Sequence, residues 1–209
     1  MLPLGQQENG MSQDDPLVCL ALLGCAIWIG KQWLEDFRSK DPNALPGATP
    51  CSQTGVWIAI TGALVILVLE TFGELITKLE EEQSTIVWYF LAAMVAAAVL
   101  EELVFRGYLV ISKRGRGILV ASAVGFSLLF ALAHPYLWTF SKEEGLSMHL
   151  SSHKAWLTTG FLYLKSLWFY YVRFAKWNPQ QSLIPCVVAH LAINLATFAI
   201  KASQGKVIW

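Results

Sequence analysis

Glu101, Glu102 and Arg106 stand in one apolar stretch of this sequence, His134 in a second, and His190 with Asn194 in a third. A charged side chain at the centre of a membrane helix costs roughly 3 kcal/mol or more, so such residues mark functional sites by default. Glu102 and Arg106 are four apart with the glutamate N-terminal, the favourable order for a helical ion pair. Glu101 is turned about 100° from Glu102 on a 3.6-residue helix and has no partner in its own segment. When an arginine neutralises one of two adjacent carboxylates, their acidities are driven apart, which is a common way to obtain a base. His190 and Asn194 share a helix face at the same four-residue spacing, as do Phe130 and His134.

Together these residues supply one carboxylate, two imidazoles and an amide. A carboxylate beside an imidazole can hold and deprotonate a water. An imidazole N–H and an amide N–H can stabilise a developing oxyanion. Glu101, His134, His190 and Asn194 are therefore the candidate catalytic residues, with Glu102 and Arg106 supporting them. Those parts suffice for water-driven hydrolysis of a peptide bond, with no serine or cysteine nucleophile required. Each residue also has a plainer reading. Glu102–Arg106 suits a structural pair, His134 a packing histidine, and Asn194 interhelical hydrogen bonding. His149 and His153 belong to a polar loop and face solvent, and Lys165 snorkels or pairs locally.

The elements that position these residues follow from composition. Of 209 residues, 55% are apolar and 14% charged, against about 25% charged in a soluble domain. That excess calls for a membrane as solvent. The formal net charge is zero, so a nucleic-acid partner is not expected. The cysteines form no CxxC pair, and Cys19, Cys25 and Cys186 read as core residues. Six apolar segments follow: Leu17–Leu34, Thr54–Gly73, Ser84–Ile111, Gly117–Thr139, Ala155–Lys176 and Ser182–Ile200. In lipid the backbone must bond within itself, so these are helices and strands are not expected. The fold class is all-α, a multi-pass transmembrane helix bundle of about six spans. It forms one membrane-embedded domain over residues 1–209, with the site among the third, fourth and sixth segments.

Asp41-Pro42-Asn43 and Leu45-Pro46-Gly47 break the chain between the first two segments, and Ser141–Lys154 reads as a polar loop. The first sixteen residues carry no Lys or Arg, so a cleaved secretory leader is not expected. Lys and Arg are richer in the loop set holding Lys113, Arg114 and Arg116, which places that turn in the cytoplasm.

Glu101-Glu102-Leu-Val-Phe-Arg106, Phe130-Ala-Leu-Ala-His134 and His190-Leu-Ala-Ile-Asn194 resemble, in order, the EExxxR, FxxxH and HxxxN motifs of one family. It is the CPBP family of CAAX proteases and bacteriocin-processing (Abi) proteins, which includes the type II CAAX prenyl endopeptidases. The resemblance covers about residues 84–200 as the catalytic core. It implies that Glu101 activates water with the help of His134, that His190 and Asn194 stabilise the oxyanion, and that Glu102 and Arg106 support them. It also implies a membrane protein or peptide as substrate, cleaved near a terminus. The six segments are fewer than the prenyl endopeptidases usually have. That points to the small prokaryotic branch, in the plasma membrane, whose members are linked to bacteriocin immunity, peptide maturation and processing of C-terminal sorting signals. No cofactor is required by this reading. The alternative is a catalytic zinc held by His134, His190 and Glu101, although no HExxH is present. Two other readings remain beside the peptidase: a non-catalytic immunity or scaffold protein of the same fold, and a transporter or proton relay. The second lacks the inverted repeat expected of it.

Overall fold

The computed structural model describes residues 15–39, 44–141 and 145–209. The leader argument, which concerns residues 1–16, falls almost wholly outside them, as does the Asp41-Pro42-Asn43 turn. The chain is mostly helical. Helix α1 spans Pro16–Ser39, α2 Gln53–Thr77, α3 Phe90–Glu101, α4 Arg116–Leu132, α5 His153–Phe174 and α6 Ile184–Ser203. Helices α1, α2 and α6 have the length and apolarity of a membrane span, and α4 is a shorter apolar helix. Their outer faces carry large apolar side chains such as Leu17, Trp57 and Phe72, exposed by 76%, 66% and 59%. A face this apolar suits lipid better than water.

Helix α2 packs against α5 and α6, α1 against α3, α4 against α5, and α3 against α6. The core runs through Ala59 and Ala63 of α2, Phe169 and Val172 of α5, and Cys186, Ala189 and Ile193 of α6. Small residues four apart let helix backbones approach closely in lipid, where water gives no drive to associate. Gly62 serves the same contact. A Cβ there would lie 2.1 Å from the Trp168 ring, and the indole Nε1 donates to Ala59 O at 3.0 Å. Ser52 and Ser152 cap α2 and α5, each accepting from a backbone N–H three residues on, at 3.0 Å.

The third and fourth apolar segments depart from simple helices. Ile86–Val87, two β-branched residues, form strand β1 in parallel with Val207–Ile208, which becomes β4. From Glu102 to Tyr108 the chain continues as a π-helix, a form often found at functional sites. Tyr170 donates through its hydroxyl to Phe105 O at 2.6 Å and Leu109 O at 2.9 Å, holding that segment's end. The fourth segment stops early, because Pro135 disfavours helical backbone at the preceding residue. His134 accordingly has φ −66° and ψ 132°.

The expected polar loop after Ser141 is corrected too. Trp138–Ser141 (β2) and Gly145–Met148 (β3) pair antiparallel in a hairpin. Strands were not expected, and those that form are only two to four residues long. They pair the segment before α3 with the one after α6, and the two arms of a hairpin, where backbone groups find partners without a long apolar run. Cys25 is exposed rather than core, because it lies on the outward face of α1.

Candidate active site

A cavity of about 790 Å³ lies within the bundle, and Glu101, His134, His190 and Asn194 all line it. They reach it from three pieces of local structure. Glu101 is the last residue of α3, at the junction with the π-helix. His134 follows the end of α4, and His190 and Asn194 lie one turn apart on α6.

The ring nitrogens are fixed by acceptors. His134 donates through Nδ1 to its own helix at Phe130 O, 2.8 Å away, and stands edge-on to the Phe130 ring at 4.8 Å. A carbonyl only accepts, so Nδ1 carries the proton and a neutral ring keeps its lone pair on Nε2. His190 donates through Nδ1 to Glu102 Oε1 at 2.8 Å. Its Nε2 lies 3.9 Å from Glu101 Oε2, just beyond hydrogen-bond range. Phe169 stacks on the His190 ring at 5.2 Å and 22°. Asn194 donates one amide N–H to Met94 O at 2.8 Å, which leaves its second N–H for another acceptor.

Behind this layer Glu102 and Arg106 are fully buried. Arg106 Nη1 lies 3.2 Å from Glu102 Oε1, the oxygen that also accepts from His190. The guanidinium carbon sits 4.7 Å from the Phe130 ring and 5.1 Å from those of Phe169 and Tyr170. Its Nη2 donates to Ser166 Oγ at 2.7 Å, and Ser166 Oγ donates to Ser127 Oγ at 2.9 Å. Glu102 is thus held by more than the helical pair read from its spacing: it also orients the imidazole of α6. That contact joins residues 88 apart in sequence, and no local spacing could reveal it.

Lys165 is placed differently from the snorkelling or local pairing expected of it. It donates to Glu70 Oε2 on α2, across the bundle, and both residues are buried on the cavity wall. Glu70 was not singled out in the sequence, although a carboxylate in an apolar segment was itself the signal. His149 and His153 are exposed, and His149 Nε2 lies 2.6 Å from Thr139 Oγ1 across the hairpin.

Against family models, residues 83–196 match the type II CAAX prenyl endopeptidase Rce1-like family, more than half of the chain. The chain belongs to the Rce1-like family. The resemblance drawn from its three motifs is therefore correct at the level of the family, and the Rce1-like chain is placed among membrane proteases. Comparisons with curated proteins and with solved structures give no match.

Among the described residues, no three His, Cys, Asp or Glu side chains gather closely enough to hold an ion. His134, His190 and Glu101 are accordingly not such a group.

Proposed function

We propose that this Rce1-like protein is an intramembrane endopeptidase in which Glu101 activates a water for attack on a peptide bond. The observation that carries this reading is the shared cavity. The Glu101 carboxylate and the His134 and His190 imidazoles line it together, and each imidazole has Nδ1 tied down, to Phe130 O and Glu102 Oε1 respectively. The substrate is a membrane-associated peptide or protein, in keeping with a family described as CAAX prenyl endopeptidases, and it is cut near a terminus.

Glu101 takes the proton of the attacking water, and the Nε2 lone pair of His134 assists by accepting a hydrogen bond from it. The oxyanion is met by the second amide N–H of Asn194 and by His190. Because Nδ1 of His190 already donates to Glu102, Nε2 donates only when the ring is doubly protonated. Glu102 Oε1 accepts from Nδ1 at 2.8 Å and Glu101 Oε2 lies 3.9 Å from Nε2, which orients the ring in the cavity. Arg106, 3.2 Å from the same Glu102 oxygen, holds that carboxylate in place. The proton on Glu101 then passes to the leaving amine, which completes hydrolysis without a covalent intermediate.

Six crossings are completed by α3 with its π-helix, by α4 and by α5, with the Lys113–Arg116 turn in the cytoplasm of a prokaryotic cell and the chain in its plasma membrane. The test is reconstitution into liposomes with a pool of membrane-anchored peptides. New termini should be detected by mass spectrometry. A folded, reconstituted protein that cuts none of them would contradict the reading.

A further inference from the structure

The Lys165–Glu70 pair has no place in the mechanism above, yet it stands on the same cavity wall. Ala155, Thr158, Leu162, Lys165 and Phe169 recur at three- and four-residue steps, so α5 turns one continuous stripe to the cavity. Phe169, one turn beyond Lys165, is the ring stacked on His190. Ser166, its neighbour, holds Arg106. Lys165 is thereby set at the level of the hydrolytic residues. The other cavity lysines, Lys154 and Lys201, stand near the ends of α5 and α6, and Lys201 donates to Ser84 O at 2.7 Å.

Lys165 has one hydrogen-bond partner among the described residues, Glu70 Oε2. An ammonium has three N–H donors, so two are left for the cavity. A buried ion pair kept for packing alone is matched or bettered by apolar residues of similar size. Two charges held on the wall of a site cavity, with donors to spare, are arranged for a ligand. A carboxylate is the acceptor that rewards them most, since charge-assisted hydrogen bonds are roughly twice as strong as neutral ones. Glu70 orients the ammonium and offsets its charge when the cavity is empty. Glu74, one turn along α2 on the same wall, accepts from Gln83 Nε2 at 2.6 Å.

We propose that Lys165, held by Glu70, is a specificity-determining residue that binds a carboxylate of the peptide substrate beside the scissile bond. The inference rests on the peptidase reading for its substrate class. The carboxylate comes from the peptide's own C-terminus or from an acidic side chain. The experiment reads binding, so it does not depend on turnover. Short lipid-anchored apolar peptides are prepared as free acids, as C-terminal amides, and as amides with one internal glutamate. Each is bound to the full-length Glu101→Gln protein in detergent, and retained peptide is counted by mass spectrometry.

At least one carboxylate form should be retained about tenfold or more over the plain amide, the scale of a hydrogen bond to a charged group. Retention of the free acid assigns the C-terminus, and retention of the glutamate form assigns the side chain. Adding Glu70→Gln alone should widen the preference, because it removes the competing carboxylate and keeps the ammonium. Adding Glu70→Gln with Lys165→Met should abolish it, and that neutral pair strands no buried charge. Equal retention of all forms, no retention of any, or a preference that survives the double change would overturn the proposal. Cleavage of the retained peptides by the unsubstituted protein is scored separately, so a failed peptidase reading is told apart from a failed carboxylate site.

Discussion

Arg106→Ala is the substitution with the most calculable consequence. Arg106 and Glu102 are fully buried, and Glu102 Oε2 has no hydrogen-bond partner among the described residues. Removing the guanidinium leaves a carboxylate in the bundle interior with the His190 ring as its remaining contact. It also removes the Ser166 bond and empties a cage of aromatic rings. Breaking a buried pair by deleting one partner costs about 3–5 kcal/mol. For a chain of this size about 1 kcal/mol shifts the melting temperature by roughly 2–4 °C, which gives a fall of roughly 6–20 °C. Thermal unfolding in detergent, followed by circular dichroism, reads this directly. Glu102→Gln combined with Arg106→Gln strands no charge and should regain part of the loss. An Arg106→Ala protein that melts with the wild type, in normal yield, would refute the buried-pair account.

Three further outcomes are expected. Asn194→Ala should lower turnover by about 10²–10³, the scale of one oxyanion-hole donor, with the change seen in kcat in a steady-state peptide assay. Pro135→Ala should lower turnover by about 10², because it frees the backbone that takes His134 out of α4, and misplacement by about 1 Å is enough for that loss. Unchanged kinetics in well-folded Pro135→Ala protein would show that the proline does not set the imidazole. A strong chelator should leave turnover unchanged, whereas full loss restored by zinc and not by magnesium would show that a metal takes part.

What the sequence made legible was local. The four-residue spacing of Glu102 and Arg106 sufficed to expect their contact, and three motifs in order sufficed for the family. Helix existence followed from apolar length, since α1, α2 and α6 each fill a span without interruption. What stayed hidden depended on the third dimension. The Glu102–His190 and Glu70–Lys165 contacts join segments 88 and 95 residues apart, and no periodicity encodes which helices meet. The ends of the third and fourth segments were misread for a different reason. Apolar content continues past His134, but Pro135 ends the helix there, and the Ile86-Val87 run is captured by the C-terminal strand.

The central claim is that Glu101 supplies the base, and Glu101→Gln tests it most directly. The amide keeps the size of the side chain and removes its basicity. Helix content and membrane yield should hold, because an amide is no costlier in the bilayer than a carboxylate. Peptide cleavage by the reconstituted protein should fall by about 10²–10⁴, the range for a lost general base. Well-folded Glu101→Gln protein that cleaves at the wild-type rate would contradict the account.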